Sequence, residues 1–442
     1  MRSSITLTLA VTALTAGVLS AQDAAMIRGL GWRTEALFTF GSTVGNFTPT
    51  GVPDGTGLFP ARDARALLLV NSELGEGAGY AYKLANGTEL VGARVHGFLI
   101  SRQPGRGAVV HAVNVAYDTV YDRQGAIVTD PKQINETGTG KNGFARFCSA
   151  TGVQAGSYGF VDDILFANEE GRRPLLQHGG TVWALDVRNR ALWACPMLGR
   201  GAWENVTPLA ADDHNTVALL LGADTIGSPM FLYVGTKSAR GTFLERNGLA
   251  NGKMYVWVAD NGDSTPDQFN TVGSTRTGKF VEIAVRDTAK AGQPGYDSVG
   301  YLDDDTLRIY ATGTLKAFQF SRPEDLHVNP RNGTQVVFAS TGHGQQYPKD
   351  NWGTLYIIDV TLAPTGHTGK FEIVHDADGL PAPDLGIRSP DNVVWAHDGY
   401  IYVQEDRSTS LFGAVSKMDA SVWQLDPATK AYTRIGVANT SV

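Results

Sequence analysis

Apolar residues along this chain come in short runs. Residues 66–70, 95–100, 181–187, 253–258, 354–360, 400–404 and 421–425 are rich in Val, Ile, Tyr and Trp, and Gly, Asp or Asn bounds most of them. That length and composition predict β-strands. No stretch of about fifteen residues holds the 3.6-residue period of an amphipathic helix. Several runs share a theme, an aromatic inside the strand and an acid that closes it. It recurs at 181–186 around Trp183, 253–260 around Tyr255 and Trp257, 353–359 around Tyr356, 399–405 around Tyr402, and 421–426 around Trp423. A repeated strand with an aromatic and a closing turn predicts an all-β fold of the β-propeller type. One blade cannot bury both of its faces, so it needs neighbours around a ring. The length accommodates about six blades. The competing architecture, a pair of β-sandwiches, needs a linker, and no Ser/Pro-rich or charged linker is found. Residues 22–442 are therefore expected to form one domain.

The first residues change the picture of where this fold works. Arg2 precedes an apolar run over 5–19, and Ser20-Ala21 stands before Gln22-Asp23. One early positive charge, a short apolar core and a small-residue cut site predict a signal peptide over 1–21 and a periplasmic or secreted protein. No Arg-Arg pair precedes the run, so the twin-arginine route is not indicated. No later stretch has the roughly 18 apolar residues of a membrane span. Gly 52 and Pro 19 fit a turn-rich chain, and a net charge of −7 without a basic run argues against a nucleic-acid partner. The expectation is a monomer.

Acidic residues cluster where strands end. The segments are Asn71-Ser72-Glu73, Asn168-Glu169-Glu170, Trp203-Glu204-Asn205, Gly222-Ala223-Asp224, Arg322-Pro323-Glu324-Asp325, Pro390-Asp391-Asn392 and Gln404-Glu405-Asp406. A single acid of this kind is ordinary turn chemistry. Here Glu73, Glu169 and Glu405 each end an apolar strand, and such ends can open on one rim of a central channel. Carboxylates crowded there repel unless a cation neutralises them. Oxygen ligands suit calcium or magnesium, and a thiolate would favour a transition metal such as iron. Cys148 and Cys195 are the two cysteines. They read either as one disulfide, or with Cys148 as a free ligand.

Other chemistry is thin. There is no Gly-x-Ser-x-Gly and no His-Glu-x-x-His, and the nine histidines are scattered. Asp303-Asp304-Asp305 and Asp260-Asn261-Gly262-Asp263 lack calcium-loop spacing and read as solvated turns.

Taken in order, these segments resemble the PhoX-type alkaline phosphatase family. Residues 45–55 are similar to its N-terminal loop. Leu69 to Glu73 resembles its Asn-His-Glu strand end. Cys148, with Glu169-Glu170 further on, resembles its Cys-Ala-Gly-Gly and Cys-Glu-Glu segments. Gly201-Ala202-Trp203-Glu204 resembles its Gly-Arg-x-x-His-Glu segment. Gly222-Ala223-Asp224 with Phe231-Leu232-Tyr233 resembles its Glu-Asp and Tyr-Arg-Phe pair, and Arg322-Pro323-Glu324 resembles its Arg-Pro-Glu-Trp. Ser389 to Asn392 and Tyr402 to Asp406 resemble its closing motifs. The resemblance implies a propeller whose channel holds calcium and iron and hydrolyses phosphate esters. It implies Cys148 and Glu204 as iron ligands, with Glu73, Glu170, Asp224, Glu324 and Asp406 around calcium. Glu169, Asp391 and Glu405 complete the candidate metal ligands. Glu204 and Arg322 are the candidate catalytic groups, Arg322 as a clamp on a phosphate oxygen. The sequence departs from the family pattern at Ser72 and Trp203, where the family has His, at Asp325, where it has Trp, and at 149–152, where its Gly-Gly is missing. The function expected is an exported metal-dependent phosphatase acting on a small-molecule phosphate ester. The alternative is a non-catalytic, calcium-stabilised protein that binds a ligand or protein partner at the cell envelope.

Overall fold

The computed structural model describes residues 24–75, 77–103, 107–136, 143–172 and 175–440; the expected export segment 1–21 lies outside them. The all-β expectation holds. Among the described residues helices are short: Phe243–Arg246 is one turn, and Asp304–Ile309 continues into a π-helical Tyr310–Thr314. Among the described residues no helix is long and apolar enough to cross a membrane. Asp303, read from the sequence as a solvated turn residue, is a buried N-cap whose side chain accepts from Thr306 N.

The propeller expectation is corrected. A propeller keeps its blades as separate sheets, but here the strands join into two large curved sheets of nine strands and a third of five. Two pairings fuse what the sequence suggested as independent blades. Thr56 bridges Thr151 in parallel, which links Val52–Pro60 to Phe147–Val153 in the middle of the first sheet. In the second sheet, Thr275–Ile283 pairs antiparallel with His367–Asp376 from Thr275↔Glu372 to Phe280↔His367. The aromatic-and-acid theme records strands of similar burial and similar turns, and does not encode whether adjacent strand groups share hydrogen bonds.

Five antiparallel pairs frame the centre of the molecule. They are β1 (Val52–Pro60) with β2 (Arg65–Glu73), β3 (Phe147–Val153) with β4 (Ile164–Glu169), β5 (Trp203–Leu209) with β6 (Thr216–Ala223), β7 (Pro323–Asn329) with β8 (Asn332–Ser340), and β9 (Pro390–Trp395) with β10 (Ile401–Glu405). The first strands of these pairs lie side by side: β1 packs on β3, β3 on β5, β5 on β7, and β7 on β9. They line one central cavity, drawn from all three large sheets.

The cores fill the space between sheet faces. One cluster packs Phe166 and Val206 with Trp203, Phe231 and Tyr233, where the first sheet meets the second. A second gathers Trp257, Phe320, Tyr356 and Phe371 between the two halves of the second sheet. A third joins Leu355 and Val337 to Trp395 and Trp423, where the second sheet meets the third. Burial of such aromatics holds the inner strands at fixed spacing; truncating one costs about 3–5 kcal/mol.

The third sheet also carries a buried ion cluster. Arg388 is fully buried, with Nη2 2.7 Å from Glu405 Oε2 and Nη1 2.8 Å from Asp384 Oδ1. Its guanidinium also lies 3.7 Å from the Phe412 ring centroid. Removing the cation would leave the buried Glu405 carboxylate with only the backbone N–H of residue 388, while Asp384 keeps the N–H groups of Gly413, Val415 and Ser416. Arg388→Met should therefore cost about 3–5 kcal/mol in denaturant unfolding, and adding Glu405→Gln should recover part of the loss. A cost below about 1 kcal/mol would contradict this account.

Candidate metal centre

Each first strand enters the cavity through a β-bulge, and each bulge carries an acid or the thiol. On β1, Pro53 pairs with Ser72 and Thr56 with Val70, so Asp54 and Gly55 oppose Asn71 alone. On β3, Phe147 pairs with Glu169 and Ala150 with Ala167, so Cys148 and Ser149 oppose Asn168. On β5, Glu204 is the extra residue between the pairs Trp203↔Ala223 and Asn205↔Gly222. On β7, Glu324 and Asp325 oppose Ala339, and on β9, Asp391 and Asn392 oppose Gln404. A regular strand sends consecutive side chains to opposite faces; a bulge breaks that alternation and re-aims a side chain. Cys148 and Ser149, Glu204 and Asn205, and Glu324 and Asp325 all line the cavity as neighbours for this reason. Gly55 is required at its bulge: a Cβ there would lie 1.9 Å from Ala150 N.

The cavity has a volume of about 740 Å³. Three ligand sets overlap in it: Asp54, Glu73 and Cys148; Cys148, Glu170 and Glu204; and Glu204, Glu324 and Asp391. Within each set the ligand atoms lie within 4.8 Å of one another. Cys148 and Glu204 are each shared by two sets. Burial pushes the Asp54 carboxyl up to about 6, with Glu73's charge adding to it and the Cys148 hydrogen bond opposing. Burial, and then the charge of Asp224, pushes Glu170 up to about 8. Burial and neighbouring acids hold Glu204, Glu324 and Asp391 well above the carboxylate range, and the Cys148 thiol well above its own. Glu204 Oε1 is buried without a hydrogen-bond partner. Converging oxygens, an orphaned buried carboxylate atom and one sulfur fit cations held by hard donors with one softer ligand.

Two arginines brace the second strands against this charge. Arg322 forks onto Asp224, Nε to Oδ1 at 2.8 Å and Nη2 to Oδ2 at 2.8 Å, and Nη2 lies 2.9 Å from Glu324 Oε1. Arg146 donates Nε and Nη2 to Glu170 Oε2 at 2.9 and 2.6 Å and reaches Glu73 Oε1 at 2.9 Å. Arg146 does so from a left-handed backbone, φ 51°, a strained geometry for a non-glycine residue and common at functional sites.

Asp325 ties the bulges together. Its Oδ1 accepts from Ser149 Oγ at 3.1 Å and from Asn205 Nδ2, and its Oδ2 accepts from Val393 N at 3.0 Å. One carboxylate thus bonds β3, β5 and β9 from its place on β7. Burial raises it to about 7, while the bonds from Val393 and Ser149 oppose the rise. Asn71 Nδ2 donates to Cys148 O at 2.8 Å, and Asn168 Nδ2 to Ser149 O at 3.1 Å, so the bulge of β3 is also held from behind.

Of the residues singled out from sequence, Glu73, Cys148, Glu170, Glu204, Asp224, Arg322, Glu324, Asp391, Glu405 and Asp406 line this cavity. Glu405 does so with its carboxylate tied into the Arg388 fork. Glu169 does not reach the cavity: it is buried, and it accepts from Ala145 N, Thr181 N and Trp183 Nε1 at 3.1–3.2 Å. Asp54, Arg146, Ser149 and Asn205 belong to the arrangement without being among the candidate site residues, and Asp325, noted in the sequence as a strand-end acid and a departure from the family pattern, belongs to it too. Asp54 had a readable signal, since Pro53-Asp54, Pro323-Glu324 and Pro390-Asp391 share one pattern of proline then acid at a strand start. Both cysteines are free; Cys148 Sγ lies 3.3 Å from Asp54 Oδ2, and Cys195 is in the apolar core.

An all-β scaffold that aims acids and a thiol from neighbouring strands at one cavity presents clusters of residues that could hold a metal ion. The family described as alkaline phosphatase PhoX matches residues 184–431, more than half of the chain. The chain belongs to the PhoX family. A solved structure of Pseudomonas fluorescens PhoX in complex with vanadate, a transition state analogue, has a similar fold, with a TM-score of 0.59 and 19% identity. That likeness covers 88% of this chain and 80% of the other. No curated protein matches the sequence.

This geometry makes stability and cation binding depend on named groups. Groups raised in the folded state stabilise it fully below the ordinary carboxylate range near pH 4, and that contribution is lost as pH rises through about 6 for Asp54 and about 8 for Glu170. Chelator-treated protein should therefore melt at lower temperature at pH 9 than at pH 5, and added calcium at pH 9 should restore it. A flat profile, or no response to calcium, would contradict the site. Separately, Asp325→Ala should leave the protein folded but lower its cation affinity about ten- to a hundredfold in calorimetric titration. Unchanged affinity would show that the bulges hold their spacing without this carboxylate.

Proposed function

We propose that the chain is an exported phosphatase that hydrolyses phosphate esters at cations held in the central cavity. The observation that carries the reading is the run of three overlapping ligand sets on one cavity, in a chain of the PhoX family. The apolar run over 5–19 supports export. The ligands are Asp54, Glu73, Cys148, Glu170, Glu204, Glu324 and Asp391, with Asp224 and Asp406 at the cavity wall. The oxygens suit calcium, and the sulfur of Cys148 favours a transition ion such as iron in the sets it joins.

Cations held there would supply Lewis-acid charge to offset that of the phosphoryl oxygens. The chain's own residues set the terms. The acids outnumber the arginines, so the bare cavity repels a phosphate dianion and becomes attractive only once neutralised. Glu204, shared by two sets, would be a ligand common to cations held in both. Arg322 forks onto Asp224 and stands at the cavity wall, where a phosphoryl oxygen would meet it. Asp325 and its partners hold the bulges, and so the ligands, in register before substrate arrives.

Protein supplied with calcium and iron should hydrolyse p-nitrophenyl phosphate at alkaline pH. Glu204→Gln should lower kcat/KM at least about a hundredfold with the fold retained. Glu282→Gln, an exposed acid paired with Lys253, should change it little. Wild-type protein that binds cations yet turns over no monoester or diester would sink the phosphatase reading, and a non-catalytic, cation-stabilised binding protein would replace it.

A further inference from the structure

A second cavity, of about 520 Å³, adjoins the metal centre and shares Arg146, Glu170, Asp224 and Arg322 with its wall. Its charge differs from that of the first. Arg146 and Arg322 are spent on Glu170 and Asp224, so those four balance. Beyond them lie Arg172 and His343. Arg172 is exposed and makes no ion pair with a described residue, with Asp304 and Asp305 on the lining of a neighbouring cavity it also touches. His343 Nδ1 accepts from Gln346 N at 3.3 Å, which leaves the ring proton on Nε2 as a donor. Leu175 and Ile226 add apolar surface on the same lining.

We propose that this cavity is a leaving-group subsite for phosphate esters whose alcohol carries a second anionic group. The inference rests on the phosphatase reading and names its substrate class. Four shared wall residues place the two cavities within one small molecule's reach. A phosphoryl group seated at the cations leaves its alcohol in the second cavity. Leu175 and Ile226 cover a short carbon skeleton there, while Arg172 and the His343 donor meet a carboxylate or a second phosphate. Arginine's fork suits either anion. A neutral alcohol would leave the charge of Arg172 unused, so the cavity discriminates by charge on the leaving group.

A matched pair of substrates tests this. 3-Phosphoglycerate and glycerol 3-phosphate differ chiefly in a carboxylate on the leaving alcohol. Wild-type protein should prefer 3-phosphoglycerate in kcat/KM, and Arg172→Ala should lower that preference about tenfold, the loss of about 1.4 kcal/mol. Arg172→Lys should restore part of it, and His343→Ala should act in the same direction. A preference unchanged in Arg172→Ala, or absent in the wild type, would overturn the proposal. If neither ester is turned over, the phosphatase reading fails by itself, and calorimetric binding decides the subsite. The metal-loaded protein should then still bind 3-phosphoglycerate more tightly than glycerol 3-phosphate, and Arg172→Ala should remove the difference. Equal binding of the two would overturn the subsite on its own.

Discussion

Everything in the centre of this molecule depends on like charges buried together. Asp54, Glu73, Glu170, Glu204, Glu324 and Asp391 face one cavity with the Cys148 thiol, and burial together with neighbouring acids pushes Glu204, Glu324, Asp391 and Cys148 toward their protonated forms. A folded chain tolerates that only if the groups are neutralised, and the means differ with depth. The second strands use arginines, Arg146 for Glu73 and Glu170 and Arg322 for Asp224, and Arg322 also reaches Glu324 on the first strand β7. The first strands have no such partner for Glu204, whose Oε1 stays orphaned. The charge left unpaired by protein is the charge a cation would take.

The geometry that creates this problem is also what makes it useful. A bulge costs ladder hydrogen bonds and bends the strand, so five of them at one level would loosen an ordinary sheet. Here Asp325 replaces part of the lost bonding, because its two oxygens join three neighbouring strands at the bulges themselves. The aromatic cores behind the strands fix their spacing, and Asp325 fixes their relative height. The two constraints together leave the ligand atoms little freedom, which is what a site must have to hold several cations at set distances.

Much of this was legible in the sequence, and the failures have physical causes. Strand-rich composition and acids at strand ends gave the all-β class and most of the cavity lining. Glu169 misled because its neighbour Glu170 carries the same signal; strand alternation sends one to the cavity and the other to Trp183 and two backbone N–H groups. Asp54 was overlooked because Asp-Gly reads as turn chemistry, and only its proline partner, repeated at Pro323 and Pro390, marked it as one of a set. The separate blades failed for a different reason. Whether two outer strands such as Thr275–Ile283 and His367–Asp376 share hydrogen bonds depends on pairing between residues roughly ninety apart, and no local pattern records it.

The departures from the family pattern acquire a physical reading in this light. Ser72 donates to Thr50 O and does not line the cavity. Trp203 is fully buried in the apolar core, with Nε1 3.3 Å from Gly199 O, while the bulge sends the next residue, Glu204, to the cavity. Both substitutions therefore fall on side chains that supply no ligand atom here. Asp325 is the exception, since it lines the cavity and bonds across it. An aromatic at that position could fill the same space but could not accept three hydrogen bonds, so the Ser149 hydroxyl and the Val393 N–H would need another partner and Asn205 would keep only its bonds to Ser149 and Thr151. Asp325 and Asn205 are thus best read as a matched pair: the carboxylate at the start of β7 requires the amide at the start of β5, and the ligands on either side depend on both.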